Sequence, residues 1–468
     1  MLTRRPLILG ALAAWLPWSA ACAQEAAPGA FAGEWNGVLE AGSQRLRLRL
    51  VVREGGADLY SLDQGEDAIP ANSVRVEGDR LRLRFPSINA SYEGRLVNGR
   101  IDGVFTQGAR LPLVFARGEV QAAPVQPLTI ERLRALRAEA GAPALAAAAA
   151  HRDGRRLDLA DGVRVQGRSE QVTTQDVWHL GSITKSMTST LVARCVEAGA
   201  VSWDDTVGAV LAGAIADMRP EYRDANFRHL LSHRAGLQAN LPITDFVRYR
   251  RENEDPREER VAFARQALRQ EPIGPKEQSF LYSNNGYVIA GAMLEAKLGA
   301  SWETLIRRHV FEPLGMASAG FGAPGARAAY DQPAGHAGGL VGGLRPHLPG
   351  DAITDNPAVL GPAGRVHAAF DDVLKYLAAH RDGAAFLNAE SWRTLHTPPF
   401  GGDYAMGWVK RGDALWHNGS NTLWYAEVTF DRTSGVAAVA AANDGRLQRV
   451  TPAVGSALAG AAAAVQTG

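Results

Sequence analysis

A chain of 468 residues is longer than one compact domain usually runs, so two domains are the first expectation. With 46% hydrophobic and 21% charged residues it is composed like an ordinary globular protein, which excludes a disordered or fibrous class. Its 50 basic and 49 acidic residues nearly cancel, so charge makes no case for nucleic acid or an anionic membrane as partner.

Residues 1–23 read as a leader. Arg4 and Arg5 precede the apolar run Leu7 to Trp18 and the small-residue site Ala21-Cys22-Ala23, the pattern of a signal peptide cut after Ala23. A periplasmic or secreted protein is therefore expected. The apolar run is shorter than the roughly 20 residues of a membrane-spanning helix, so no integral span is expected. Thr3-Arg4-Arg5 fits the twin-arginine export route. Lipidation of Cys22 is the rival reading; Ser19 opposes it, standing where a lipobox usually has Leu. Cleavage would leave Cys195 alone, on an apolar helix position, which predicts packing and no disulfide.

From about 30 to 118 the pattern is β. Leu46, Leu48 and Leu50 alternate with Arg45, Arg47 and Arg49, and Leu81, Leu83 and Phe85 alternate with Arg82 and Arg84. Period two with Arg on the outer face marks half-buried antiparallel strands. Glu54-Gly55-Gly56 and Asn98-Gly99 supply turns. A small β-sheet or barrel domain is predicted, followed by a Pro- and Ala-rich linker over 119–127. The rest, 128–462, reads as α+β. Helical patterns cover 128–140, 183–198, 259–270, 285–298, 301–311 and 370–381. Strand-like runs cover 144–150, 156–160, 414–417, 424–430 and 435–442, predicting one sheet built from both ends of this region. The Gly- and Pro-rich stretch 335–350, around His336 and His347, is predicted to be a surface loop. Arg250 to Arg260 reads as a solvated helix face.

The chemistry centres on Ser182-Ile183-Thr184-Lys185. Ile183, Met187, Leu191 and Cys195 lay an apolar stripe along the helix that follows, and Gly199 ends it. Ser182 thus stands at a helix N-terminus, with Lys185 on nearly the same face, their β-carbons about 5–6 Å apart. A serine hydroxyl becomes a nucleophile when a neighbouring base takes its proton. Lysine can be that base only when neutral; lowering its pKa from about 10.4 to near 7 costs on the order of 4 kcal/mol. With 20 serines and 5 lysines in the chain, random placement yields about 0.2 such pairs, so the spacing alone is suggestive.

Two later segments, Tyr282-Ser283-Asn284 and His417-Asn418-Gly419-Ser420, complete a set. Together with Ser182 and Lys185 they resemble the three motifs of the serine β-lactamase and penicillin-binding-protein superfamily. The similarity is greatest to its class C-like branch, which includes D-aminopeptidases, DD-carboxypeptidases and esterases. Leu230 to Leu237 and Tyr404-Ala405-Met406-Gly407-Trp408 resemble further stretches of that branch, in the right order. The resemblance covers roughly 128–450. It implies a β-lactamase-like fold, an antiparallel sheet flanked by helices with a helical subdomain. By resemblance Ser182 is acylated, and Lys185 and Tyr282 share its proton as a coupled pair. Asn284 would bond the lysine and the substrate, and the N–H groups of Ser182 and Ser420 would form the oxyanion hole. His417 and Gly419 would line the substrate edge. Trp35-Asn36-Gly37 and Ser61 to Gly65 resemble a lipocalin-like accessory domain fused to some secreted hydrolases.

One departure matters. Family β-lactamases carry Lys-Thr-Gly where this chain has His417-Asn418-Gly419, and histidine is a weaker anchor for a substrate carboxylate. The expectation is therefore a secreted serine hydrolase acting on a small-molecule or peptide substrate through an ester or amide bond, before a β-lactam. The alternative is a penicillin-recognising sensor with little turnover. His233, Arg365 and His367 are expected to be structural, and Trp408, Trp416, Trp424 and Tyr425 either line the site or fill the core. The chain contains no G-x-S-x-G elbow, H-E-x-x-H, P-loop or dinucleotide fingerprint, so no metal or other cofactor is implied.

Overall fold

A computed structural model describes residues 29–466 apart from 42–43, 63–67, 108, 119–124, 247, 328, 340–342, 352 and 384. The predicted leader 1–23 with Cys22, most of the linker and Asp63-Gln64-Gly65 lie outside the described residues.

The N-terminal region is a single antiparallel meander. Strands Gly33–Ala41, Gln44–Arg53, Gly56–Ser61, Ile69–Pro70, Ser73–Glu77, Arg80–Phe85, Ala90–Val97, Arg100–Gln107 and Ala109–Ala116 follow one another, and the last pairs back onto the first. At the other seam Ala71 N–H bonds to Ala57 O and Asn72 N–H to Arg84 O. One bent strand therefore bridges both neighbours and the sheet closes into an up-and-down barrel. Alternate residues point inward: Trp35, Leu48, Leu50, Val52, Leu59, Leu81, Leu83, Phe85, Tyr92, Ile101, Phe105, Leu113 and Phe115 are all buried. These inward side chains form the barrel's own buried cluster. The predicted turn at Asn98-Gly99 is present, both residues having positive φ (49° and 75°) between Val97 and Arg100.

Beyond the linker a six-stranded antiparallel sheet runs in the order Arg156–Gly162, Ala144–His151, Val436–Ala442, Tyr425–Asp431, Ala414–Ser420, Val409–Arg411. Strands from both ends of the region meet, as the sequence pattern predicts. The adjacent strands Ala144–His151 and Val436–Ala442 consist almost wholly of Ala and Val, so helices can pack closely on both faces. Leu145, Ala147 and Ala149 face helices Ile130–Ala140 and Leu447–Gln466; Ala144, Ala146 and Ala148 face the helical layer on the other side. That layer contains helices Thr184–Glu197, Arg257–Ala267, Asn284–Leu298 and Phe370–Asp382.

Two expectations need correction. The stretch 335–350 contains a hairpin, Gly335–Gly338 with Leu344–His347. His336 is fully buried there, accepting from Gln166 N–H (3.0 Å) and donating to Asn443 O (2.7 Å). The alternating charge of 250–260 hid a core residue. Arg260 is also fully buried, paired with Glu295 and with Glu303 (2.8 Å), and it reaches Val359 O (3.2 Å). Helix period, and not charge, decides that position, because Arg260 shares its buried face with Phe263, Ala264 and Ala267.

Candidate active site

Between Trp178 and Ala193 every residue is buried except Ser182, which remains partly open at the start of the helix Thr184–Glu197. The strand Ala414–Ser420 lies directly against this helix start. A Cβ on Gly419 would sit 2.5 Å from Ser182 N, and one on Gly181 (φ 50°) would sit 2.3 Å from Ser420 N. Glycine is required at both positions, and its absence of side chain brings the backbone amides of Ser182 and Ser420 to the same spot.

Lys185 is fully buried and Nζ has three neighbours: Ser182 Oγ at 3.0 Å, Asn284 Oδ1 at 2.7 Å and Ala363 O at 2.7 Å. Two of these are carbonyl oxygens, which only accept. A neutral amine has two N–H groups to give them and one lone pair left, directed at the serine hydroxyl. No carboxylate pairs with Lys185 among the described residues, and burial holds its pKa well below 10.5. Rings of Tyr282 and Tyr287 lie 4.8 and 5.6 Å from the amine.

Burial raises the phenol pKa of Tyr282 and the neighbouring Ser182 only partly opposes the rise, so the phenol is held protonated. The segment carrying it is gripped from both sides: Ser283 N–H donates to His233 Nδ1 (3.0 Å) and Leu281 N–H to His233 O (3.3 Å). His233 itself occupies the left-handed region (φ 62°), and its ring packs 4.4 Å from that of Tyr282. Ser283 caps the next helix through Gly286 N–H (3.3 Å), aiming Asn284 at the lysine, and Asn284 Nδ2 donates to Asn240 Oδ1 (2.7 Å).

His417 is 2% exposed, with both ring nitrogens engaged inside the protein. Tyr404 O–H donates to Nε2 (3.0 Å), and Nδ1–H donates to Asn418 O (2.5 Å). Burial first, and the neighbouring Lys185 second, push its pKa down to about 3. The strand thus presents a neutral, internally bonded histidine where a cation was considered. Ser420 Oγ turns away to Trp424 O (2.6 Å), leaving its backbone N–H as the group near Ser182. Trp408 and Trp424 are buried in the core, Tyr425 is buried, and Trp416 donates to Glu427 (3.0 Å). The core reading holds for Trp408, Trp424 and Tyr425; Trp416 is half-buried, with the Arg411 guanidinium over its ring.

Three contributors carry no sequence signal of their own. Ala363 acts through its carbonyl, which any residue has; Gly361-Pro362-Ala363-Gly364 signals only a tight loop. Asn240 is one polar loop residue among many. The third is Asp355, a buried carboxylate that meets His179 and Arg365 (each 3.2 Å) and Asn421 (3.0 Å). Burial pushes Asp355 up, but His179, Arg365 and Asn421 outweigh it and hold the carboxyl below its usual range. Among the described residues no cluster of His, Cys, Asp or Glu could hold a metal ion, and no helix is long and apolar enough to cross a membrane.

Residues 130–461 match the model of the Beta-lactamase family. The chain belongs to the beta-lactamase family. It is 32% identical over 256 residues to penicillin-binding protein 4 of Amycolatopsis lactamdurans; the match takes in 54% of this chain and 63% of that protein's length. Among solved structures it is similar to D-amino acid amidase from Ochrobactrum anthropi SV3 (19% identity, TM-score 0.57, 70% of this chain and 97% of that one). A hydrolase with promiscuous acyltransferase activity is equally close in shape (18% identity, TM-score 0.57, 70% and 98%). At these identities the structural likeness speaks for the fold of the beta-lactamase-family region and not for a substrate.

Proposed function

We propose that the protein is an exported serine hydrolase that works through a Ser182 acyl-enzyme on an ester or amide bond. The observation that carries this is the commitment of both Lys185 N–H groups to Asn284 Oδ1 and Ala363 O, with Ser182 Oγ at 3.0 Å on the remaining side. In the reaction Ser182 Oγ attacks the carbonyl carbon and its proton passes to Lys185 Nζ. The carbonyl electrons move onto oxygen, between the N–H groups of Ser182 and Ser420. Collapse restores the double bond and expels the alkoxide or amine. That leaving group is protonated by Tyr282, which recovers its proton from Lys185. Water then repeats the sequence on the acyl-enzyme, releasing the acid and restoring the Ser182 hydroxyl. A phenol held protonated by burial suits Tyr282 to relay protons and not to serve as a phenolate base.

His417 favours esters and amides without a fixed carboxylate over β-lactams, because a neutral imidazole bonded to Tyr404 and Asn418 offers no cation. The test is labelling with a fluorophosphonate, then turnover of p-nitrophenyl esters, D-amino acid amides, a D-Ala-D-Ala peptide and nitrocefin. Expected are label on Ser182 and ester or amide turnover that Ser182→Ala abolishes. Equal behaviour of wild type and Ser182→Ala on all of them would overturn the proposal.

A further inference from the structure

The two amides proposed for the oxyanion sit on segments far apart in sequence, the helix start at Ser182 and the strand end at Ser420. Their backbones meet at glycine contacts with no slack: a single Cβ on Gly181 or Gly419 would fall 2.0–2.5 Å from the facing backbone. Such contacts limit how close the segments come, but nothing in them stops the segments from drifting apart. A tie is needed, and one buried side chain reaches both.

We propose that Asp355 is a positioning residue that sets the spacing between the Ser182 and Ser420 N–H groups; this rests on the reading of Ser182 given above. One arm runs to the helix start. His179 Nδ1 accepts from Gly181 N–H (3.1 Å), so Nε2 carries a proton and donates to Asp355 (3.2 Å). That fixes the peptide immediately before Ser182. The second arm runs to the strand end. Asn421 Nδ2 donates to Asp355 Oδ1 (3.0 Å), while Asn421 Oδ1 accepts from Leu423 N–H (3.2 Å) and Trp424 N–H (3.3 Å). That fixes the turn immediately after Ser420. The arms also touch, since the Trp424 ring stacks on His179 at 5.5 Å and 22°. Arg365 Nε (3.2 Å) and Asn356 N–H (2.7 Å) complete the donors around the carboxylate.

His179 is 1% exposed and Asp355 and Asn421 are each 5% exposed. A packed apolar cluster would hold such a junction with less desolvation. What the carboxylate adds is direction: fixed lone pairs facing donors from both segments, with geometry that a fluid apolar contact does not impose. The oxyanion site depends on that kind of precision, because its donors must already be in place when charge develops.

The experiment uses the full-length protein and two substrates, p-nitrophenyl acetate and its thiono analogue, in which sulfur replaces the carbonyl oxygen. Sulfur is a poor hydrogen-bond acceptor, so the thiono ester draws little from the two amides. Asn421→Ala cuts one arm and leaves the Asp355–Arg365 pair intact; Asp355→Asn weakens both arms. For Asn421→Ala the expected result is a fall in kcat of about 10-fold on the oxygen ester, smaller than the 10²–10³-fold of removing a donor outright. KM and the thiono rate should change less than about 2-fold, so the oxygen-to-sulfur ratio falls about 10-fold. Asp355→Asn should lower that ratio further, by about 100-fold, with an unchanged circular dichroism spectrum; should that variant not fold, Asn421→Ala alone decides. Parallel losses on both esters, or no loss in Asn421→Ala, would overturn the tie. Ser182→Ala separates the two readings: if it still turns over both esters, the underlying assignment of Ser182 fails instead.

Discussion

Among the described residues of the barrel the one buried residue of polar type is Ser61, whereas between Asp176 and Asp444 the interior holds Lys185, Arg260, Glu295, Asp355, Glu427 and several histidines. All eleven histidines of the chain fall between His151 and His417, and residues 29–118 contain none. The barrel packs aliphatic and aromatic side chains inward and leaves its arginines outside, which is how stability is obtained without desolvating charge. The hydrolase region buries ionisable groups whose preferred state conflicts with their surroundings. Such groups cost stability; Lys185 lies against Ser182, whereas Arg260 with Glu295, and Glu427 with Trp416 and Tyr425, are satisfied by partners of their own. The difference separates a region built to persist from one built to react.

The largest expected effect comes from removing that chemistry. Ser182→Ala and Lys185→Met should each lower kcat by about 10⁴-fold or more on the best ester found. Lys185→Met sharpens the contrast, because stripping the lysine of its proton no longer opposes folding. Its Tm at pH 7 should rise by about 1–2 °C, as about 1 kcal/mol does for a region of this size. A Tm that falls with the activity would erase the distinction between the regions. Tyr282→Phe, which keeps the ring and loses the relay, should cost about 10²–10³-fold in kcat with little change in KM.

Proton linkage gives the next test. Lys185 must be neutral to act, so kcat/KM should rise with pH through a midpoint well below 10.5, and Lys185→Arg should be inactive at every pH. Stability should move in the same direction. Burial lowers His336 and His367 from 6.5 to about 4, and lowers His396 and His417 to about 3. Between 6.5 and those values the unfolded chain binds more protons, so stability drops as pH falls from 6.5 toward 4. Calorimetry between pH 7 and 4 should show the hydrolase transition moving down while a barrel transition, with no histidine, stays in place. The smallest effect is expected from deleting 30–118: Ser182 should still take a fluorophosphonate, and kcat/KM should stay within about threefold. A truncated chain that is inert would show that the regions are not separable.

Much of this was legible in sequence because it depends on period and order. Alternating Leu and Arg at 45–50 and 81–85 announced the barrel strands, and the Ile183, Met187, Leu191, Cys195 stripe placed Ser182 at a helix start. Resemblance to the family's motifs brought Lys185, Tyr282 and Asn284 together in expectation, and the structure has them in contact through Lys185 Nζ and the Tyr282 ring. What stayed hidden depends on burial or on backbone atoms. Arg260 was masked by charged neighbours. His336 was masked by a Gly-rich context, and Ala363 acts through a carbonyl that its side chain does not advertise. His417 was visible as a departure, but only the Tyr404 hydroxyl showed that its ring is already occupied.

The six-stranded sheet has a bearing on how the chain reaches this state. Ala144–His151 pairs with Val436–Ala442 across nearly the whole hydrolase region, so the sheet cannot close until the last strand has left the ribosome. Every barrel strand, by contrast, pairs with its neighbour in sequence, apart from the one seam joining Asn36 and Gly37 to Ala116 and Phe115. Local pairing forms early and distant pairing late. The barrel strands can therefore pair before the rest of the chain is made, whereas the sheet that sets Ser420 beside Ser182 closes only after Val436–Ala442 exists.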